Sequence, residues 1–518
     1  MLNEFDKPTE EELAERERFA SLAGNDRETE ITRVHERALL ENTTPFSELV
    51  LAEQEPEKRE SLAIALAITE AVKQDGGLAL VVGGYARDAV LKRAGYDVEP
   101  KDIDIEVYGL DFDKLKVILE RFGEPNVVGA SFGVIKLRGL DISIPRRDSK
   151  TGRGHKGFRI EGDPSMQVRD AARRRDFTIN ALALDPITGE VVDKFGGIED
   201  IRQKVLRATD PEFFADDPLR VLRAMQFAGR FEFAVDPDTV KLCREIDLSE
   251  LSKERVGEEW TKLLLKSRRP SIGLEAARGL GVLEKIHPEL NALISVPQEK
   301  KWHPEGDVWT HTGMVADAAA EIVRREKLED RDALVVMLAS LCHDLGKPAT
   351  TTKNEKGVIT SHGHEEAGIE PAKRFLENLK MPGEVVTRVT KLVVDHLFPA
   401  QVKNPNASAV RRLARRLAPA TIRELVLVSE ADQRGRAIEW HGFPAGEKLL
   451  RLAEKESVVD TKPEAILMGR HLIEMGVTPG PPMGKILHKV YEAQLEGKVN
   501  NFEEAQTLAR ELIERKPA

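Results

Sequence analysis

Only two cysteines, Cys243 and Cys342, occur in 518 residues, and they fall in different regions of the chain. That scarcity excludes a disulfide framework or a thiolate metal centre and fits a reducing compartment. Aromatic residues make up 5% of the sequence, too few for stacking on aromatic platforms to dominate a contact with RNA. Apolar runs such as ALVVMLASLC fall well short of the roughly 20 residues that span a bilayer. The start, MLNEFDKPTEEELAERERF, is too charged for a secretory signal. A net charge of −11 argues against indiscriminate coating of nucleic acid. Clear internal repeats and long low-complexity tracts are missing too. These absences predict a soluble, cytoplasmic protein with no membrane partner, long enough for roughly three or four domains with cores of their own.

What is present is unevenly arranged. Residues 1–60 are charged and Glu-rich with weak helical periodicity, and predict a charged helical or partly mobile extension. Over 61–206, a helix (SLAIALAITEAVKQDGG) leads into a strand (LALVVGG), a second helix (RDAVLKRAG) and the short strands KDIDIEVYG, GVIKLRG and LDISIPR. This mixture predicts an α+β region with a small mixed sheet. Beyond the turn-rich DPITGEVVDKFGG the pattern is almost purely helical, divided here into 207–295, 296–440 and a tail over 441–518. VTPGPPMGK at 477–485 breaks the tail before a last pair of helices. Residues 146–175 carry ten Lys/Arg against four Asp/Glu, a local charge of +6, and VRRLARRLAP at 410–419 is a second basic run. Both are candidates for gripping a polyanion.

In KDIDIEVYG, alternation puts Asp102 and Asp104 on one face of a strand. Carboxylates held that close repel one another unless a cation sits between them, and Mg²⁺ suits such a pair. About twenty residues earlier, in VVGGYARDAV, a strand ends at Gly83-Gly84 and a helix begins. Bare backbone N–H groups and a helix N-terminus there can cradle a triphosphate, with Arg87 in reach. Asp141, in LDISIPRRD, can approach the same cations from a neighbouring strand. Further on, ADDPLRVLRAMQFAGRF (215–231) predicts an amphipathic helix with Asp216 and Asp217 in its first turn and Arg220 and Arg223 on its exposed face.

The Gly-Gly turn, the Asp-x-Asp strand and Asp141, in this order, resemble the nucleotidyltransferase superfamily with a polymerase-β-like head. ARRRDFTINALALDP (172–186) is similar to the motif after the flexible loop in class II tRNA nucleotidyltransferases and bacterial poly(A) polymerases. The resemblance implies two-metal nucleotidyl transfer, with Arg175, Asp176 and Asn180 contacting the phosphates and sugar of the incoming nucleotide. The 216–231 stretch falls where the family carries its nucleotide-selecting Glu-Asp-x-x-Arg motif. Asp217 and Arg220 match it, while Asp216 stands where glutamate is more frequent. A carboxylate only accepts hydrogen bonds and a guanidinium only donates them. Side by side they complement the edges of cytosine and adenine, whereas uracil and guanine present the reverse pattern. Arg223 and Arg230 would hold the nucleotide or pair with acids of the head. Residues 254–290 look like the neck and body helices of the family.

A second constellation lies downstream. His311, the His343-Asp344 doublet and Asp432 occur in the order of the HD phosphohydrolase superfamily, with CHDLGKP the most specific string. His and carboxylate ligands suit Mn²⁺, Ni²⁺, Fe²⁺ or Mg²⁺. His362, His364 and His396 are candidates for a second cation or for polarising a phosphate. The tail LMGRHLIEMGVTPGPPMGK resembles the C-terminal region of HD-bearing tRNA nucleotidyltransferases and suggests RNA grip. Together the resemblances imply addition of C and A from CTP and ATP to the 3′ end of tRNA, with HD hydrolysis of a phosphomonoester or cyclic phosphate. A poly(A) polymerase, a CC-only or A-only enzyme, and an HD phosphohydrolase with a nucleotide-binding head are the competing readings.

Overall fold

The computed structural model describes residues 44–128, 134–150, 158–402 and 404–514. Most of the expected N-terminal extension, residues 1–43, lies outside them. The chain divides into two compact units. One runs to Asp217 and includes 236–239; the other comprises 218–235 and everything from Val240 onward.

The first unit is built on a mixed sheet in the order β3-β4-β5-β2-β1-β8-β9. Its strands are β1 (Leu78–Val82), β2 (Asp104–Tyr108), β3 (Asn126–Val128), β4 (Val134–Leu137), β5 (Leu140–Ser143), β8 (Ala183–Leu184) and β9 (Val191–Val192). A separate antiparallel pair, β6 (Arg146–Lys150) and β7 (Phe158–Gly162), carries part of the basic segment. β1 and β2 pair antiparallel with Val82 opposite Asp104, whereas β2 and β5 run parallel with Asp104 opposite Asp141. Period-two alternation explains which side of β2 is dry. Ile103, Ile105 and Val107 are buried, while Asp102, Asp104 and Glu106 occupy the other face. Asp102 stands ahead of β2 at an exposed position, so only Asp104 of the expected pair belongs to the strand.

β4 and β5 are joined by a two-residue turn, Arg138-Gly139, with φ of 47° and 81°. Two successive positive φ values suit a tight hairpin, whose twist then matches that of its strands. Arg138 is held in this unusual conformation for a non-glycine residue by its side chain. Its Nε donates to the Phe122 carbonyl at 3.0 Å and its Nη1 to Glu60 at 2.7 Å.

The second unit is largely helical. The Leu219–Phe231 helix packs on Lys253–Lys266 and Pro270–Gly279, where Gly229 and Gly273 face each other and leave room for the Leu263 side chain against both. Pro218 takes the N-cap position with no side-chain capping bond, and no acid lies in the first turn. Asp216 and Asp217 therefore precede the helix instead of opening it. Trp260, His287 and Phe375 form an edge-to-face cluster in which Trp260 Nε1 donates to His287 Nε2 at 2.9 Å. Burial pushes the His287 pKa down to about 3, so the ring stays the neutral acceptor this bond requires.

The second basic run lies on the Ala407–Leu417 helix, and its arginines are committed internally. Arg411 pairs with Glu456 and donates to the Leu495 carbonyl, and Arg412 meets Glu496 at 2.8 Å. Arg415 pairs with Glu492 over the Tyr491 ring, and Arg416 meets Asp395. The expected polyanion grip at 410–419 is thus a seam of ion pairs joining this helix to its neighbours. The expected last helical pair forms as Pro481–Leu495 and Phe502–Glu514, around Leu472, Met483, Val490 and Ala505. Among the described residues no helix is long and apolar enough to cross a membrane.

Candidate functional site

The sheet of the first unit brings three carboxylates to one end. Asp104 opens β2, Asp141 lies opposite it on β5, and Asp102 is two residues upstream on the same face. Burial, then the charge of Asp141, push the Asp104 pKa up to about 6; Arg175 opposes them and Asp102 adds to them. Such repulsion is what a divalent cation relieves, so the donor set fits the Mg²⁺ that the resemblance implies. Asp141 is meanwhile paired with Lys136 Nζ at 3.0 Å.

Gly83 ends the strand next to this cluster with φ +69°. A Cβ there would lie 3.3 Å from Arg175 Nη1 and 3.5 Å from Asp104 Oδ2, so glycine keeps the turn open beside the carboxylates. Gly84 is the first residue of the Gly84–Arg93 helix, giving the N-terminal amides expected of a phosphate cradle. Arg175 reaches Glu106 Oε2 at 3.4 Å, and Glu106 also accepts from Tyr108 Oη at 2.6 Å. Sequence reasoning missed Glu106, although extending the 102/104 alternation by one step finds it.

Arg87 lies beside the Gly83-Gly84 turn, its Nη2 3.8 Å from where a Cβ on Gly84 would stand. It is buried, pairs with Asp88 at 2.7 Å, and donates to Asn180 Oδ1 at 2.8 Å. Asn180 Nδ2 in turn donates to Asp176 Oδ1 at 2.8 Å, which also accepts from the Phe177 amide. Arg87, Asn180 and Asp176 thus form one buried network, and Arg175 alone of the 175/176/180 set lies beside the carboxylates. Arg173 pairs with Asp210 and Glu212. Asp216 and Asp217 are half-buried at the end of the first unit; Arg220 stands in the first turn of the helix that opens the second. Farther along that helix, Arg223 lies over Phe227 at 5.1 Å and Arg230 over Phe231 at 4.8 Å.

The second unit gathers the other constellation. His311 comes from the Val308–Glu326 helix, His343 and Asp344 from the end of Asp330–Cys342, and Asp432 from Ile422–Arg434. All four are buried. His311 Nε2 lies 3.1 Å from Asp432 Oδ1, 3.4 Å from His343 Nε2 and 3.9 Å from Asp344 Oδ2. His364 and His396 join them, with His364 Nε2 3.4 Å from both Asp344 Oδ1 and His396 Nε2. His362 is exposed and stays outside the cluster.

The imidazoles are oriented by their own helices and turns. Nδ1 of His343, His364 and His396 sits 2.7, 2.8 and 2.6 Å from the carbonyls of Ser340, Ser361 and Val393, each three residues back. A carbonyl can only accept, so each Nδ1 carries a proton and each Nε2 is turned toward the cluster. Asp344 presents Oδ2 to His343 at 3.1 Å and Oδ1 to His364. One carboxylate therefore serves two His clusters, and the set suits one or two divalent cations.

Around Asp344, burial opposes ionisation, but His343 and Lys347 hold the carboxyl well below the usual range. Asp432 is lowered likewise by His311 and Arg436 against its burial. Burial pulls His311 down, yet Asp432 and Glu305 win and raise it. Burial leaves His396 at about 3, hence neutral.

Further groups here were missed in the sequence. Lys347 Nζ meets Asp344 Oδ2 and Gln298 Oε1, both at 2.7 Å, and Arg436 meets Asp432 at 3.3 Å. Glu305 Oε1 accepts from His303 Nδ1 at 2.9 Å and lies 2.8 Å from His311 Nδ1, off the line of its N–H. Lys347, three residues after Asp344 in CHDLGK, carried a usable signal; the loop residues His303 and Glu305 had none.

A carboxylate-lined sheet end beside a glycine turn, with an HD centre in the helical part, defines a nucleotidyltransferase carrying an HD domain. Family models agree, matching the poly A polymerase head domain at 79–207, the probable RNA and SrmB-binding site of polymerase A at 232–294 and the HD domain at 308–436. The multifunctional CCA protein of Stenotrophomonas maltophilia (strain K279a) is 35% identical over 430 residues, covering 79% of this chain and 97% of its own. That of Xanthomonas campestris pv. campestris (strain B100) is 36% identical over 387 residues, covering 72% and 89%. The chain belongs to the multifunctional CCA protein family. Its fold is shared with the Bacillus stearothermophilus CCA-adding enzyme in complex with CTP, at TM-score 0.60 and 23% identity, covering 89% of this chain and 99% of that one. The Thermotoga maritima CCA-adding enzyme complexed with tRNA aligns at TM-score 0.54 and 19% identity, covering 91% and 98%.

Proposed function

We propose that this protein adds C and A, from CTP and ATP, to the 3′ end of tRNA in the cytoplasm without a nucleic-acid template. The observation that carries the reading is the in-register pair Asp104 and Asp141 beside the Gly83 turn. Asp102, Asp104 and Asp141 would hold the cations, which when bound activate the attacking hydroxyl and offset the triphosphate charge. The chain's own residues do the rest. The Gly83-Gly84 turn and the amides at the start of the Gly84–Arg93 helix bind phosphate oxygens, and Arg175 adds a fixed positive charge beside Asp104. Arg87, Asn180 and Asp176 act as a brace behind this surface, keeping the segment that carries Arg175 in place.

Asp217 and Arg220 carry nucleotide choice in this reading, with Asp216, Arg223 and Arg230 supporting the bound nucleotide. A buried donor or acceptor facing the wrong base edge costs about 1–3 kcal/mol, so two mismatches give useful rejection of U and G. The regions 61–206, 207–295, 296–440 and 441–518 then serve as head, neck and body, HD domain and tail. The HD centre hydrolyses a phosphomonoester or cyclic phosphate, with His311, His343, Asp344 and Asp432 holding one cation and Asp344, His364 and His396 suited to a second. A cation held there supplies Lewis acidity toward the phosphoester.

The test incubates tRNA ending before CCA, ending at CC, and intact, with each NTP and Mg²⁺, and reads product lengths. Addition of three residues followed by arrest supports the proposal. Long A tails favour a poly(A) polymerase. Absent incorporation with phosphatase activity intact leaves an HD phosphohydrolase. Metal-replete protein without phosphatase or cyclic phosphodiesterase activity removes the HD part alone.

A further inference from the structure

We propose that Glu106 is a positioning residue for nucleotidyl transfer: it holds the Arg175 guanidinium over the Gly83 turn, where that charge meets the triphosphate. The inference rests on the nucleotide-binding reading of the head given above. Along β2, Asp104, Glu106 and Tyr108 share one face, and their cross-strand neighbours on β1 are Val82, Leu80 and Leu78. Leu80, Val82 and Tyr108 pack into one core cluster with Met166 and Ala171. An apolar side chain at 106 would therefore serve the sheet, since replacing a buried ion pair by apolar groups is often neutral or stabilising. A carboxylate here, with its side chain 14% exposed, needs specific partners to offset its burial.

Two donors meet the same carboxylate oxygen. Tyr108 Oη donates to Glu106 Oε2 at 2.6 Å, and Arg175 Nη2 donates to it at 3.4 Å. The Tyr108 ring is buried in the core cluster, so its hydroxyl fixes where that oxygen stands. Arg175 is thereby oriented at one end of its fork. Nη2 faces Glu106, while Nη1 lies 3.3 Å from where a Cβ on Gly83 would stand. Met166 and Ala171 belong to the segment that leads into Arg175, so the Tyr108 ring also packs against the chain that delivers the guanidinium. The buried network of Arg87, Asn180 and Asp176 braces the backbone of this segment, and Glu106 fixes the side chain. Arg175 also feels the Asp104 charge. Without Glu106 that attraction is unopposed, and a guanidinium drawn onto Asp104 turns away from the triphosphate and competes with the cation. Glu106 thus acts through Arg175 and does not itself touch the nucleotide.

The test measures CTP binding to the full chain by titration calorimetry, with Mg²⁺ present and tRNA absent. Glu106→Ala is expected to weaken binding by about 10-fold, a usual size of coupling between contacting residues. Glu106→Gln, which keeps an acceptor for both donors but not the charge, is expected to weaken it by about threefold. That variant nearly preserves the side-chain shape, so it carries the test if Glu106→Ala fails to fold. With tRNA ending before CCA, the KM for CTP should rise by more than kcat falls. The decisive measurement is the double variant Glu106→Ala, Arg175→Ala, which should bind CTP no more weakly than Arg175→Ala alone; a loss of packing would not produce that coupling. Affinity of both Glu106 variants within about twofold of wild type, while Arg175→Ala binds weakly, overturns the proposal and leaves the nucleotide-binding reading in place. An equal loss on Glu106→Ala in the wild-type and Arg175→Ala backgrounds also overturns it. Wild-type affinity in Arg175→Ala overturns the assignment of Arg175 to the nucleotide, and the proposal with it.

Discussion

Replacing Asp104 with Asn should stabilise the metal-free protein while destroying its transfer activity. Asp104 is held as an acid with pKa about 6, against an ordinary value of 3.8, by burial and then by the Asp141 charge, with Arg175 compensating only in part. At about 1.36 kcal/mol per unit the gap corresponds to about 3 kcal/mol, and solvent screening at this half-buried position trims it to about 2 kcal/mol. The sign follows from linkage. A carboxyl whose folded pKa is raised contributes most below its unfolded pKa, and that contribution is lost as pH rises through the folded value. Wild type therefore carries the full charge penalty above pH 6. Asn carries none, so its advantage should be largest at pH 7.5 and shrink as pH falls toward 4. For a unit of this size, about 2 kcal/mol corresponds to a rise in Tm of about 4–8 °C. Scanning calorimetry in EDTA reads this directly. Saturating Mg²⁺ should reverse the order, because wild type gains a ligand that the variant binds poorly. A variant no more stable than wild type in EDTA at pH 7.5 refutes the electrostatic account of the site.

Other substitutions probe packing, surface charge and base choice. Gly257→Ala puts a Cβ against the Leu379 carbonyl, a rigid backbone group, and should cost about 3 kcal/mol or more in chemical denaturation; an unchanged midpoint would sink that packing argument. Arg411→Ala with Arg415→Ala should lower Tm by a few degrees without changing the salt dependence of tRNA binding, whereas a slope reduced by about 2 would identify these arginines as phosphate contacts. Asp217→Ala and Arg220→Ala should each raise UTP or GTP incorporation relative to CTP by about 10–100-fold, read from competition assays, and an unaltered ratio in both rules out the base-reading role.

Chemistry was easier to read from the sequence than long-range contacts. Asp102, Asp104 and the Gly83-Gly84 turn declare themselves through strand alternation and a strand-to-helix junction, both properties of a few neighbouring residues. His311, His343, Asp344 and Asp432 were recognisable because their order and the CHDLGK string are specific. The arginines at 411–416 were misjudged because a helix face cannot reveal whether its partner is water or protein. Their acids lie 21 to 84 positions away in Asp395, Glu456, Glu492 and Glu496. The bond from Arg87 to Asn180 was illegible for a related reason, since the two are 93 positions apart. Asp216 and Asp217 were placed one turn too far into their helix because Pro218 takes the N-cap position.

The Arg138-Gly139 turn has a meaning for engineering. It is the shortest link between β4 and β5, and β5 is what sets Asp141 across from Asp104. Because side chains alternate faces along a strand, sliding β5 by one position would carry Asp141 to the far side of the sheet. Those two residues act as a ruler for the carboxylate spacing. Loop-length variation that other surface turns absorb cheaply would here cost the reaction and, because Leu140 and Ile142 would leave the core as Asp141 crossed the sheet, stability as well.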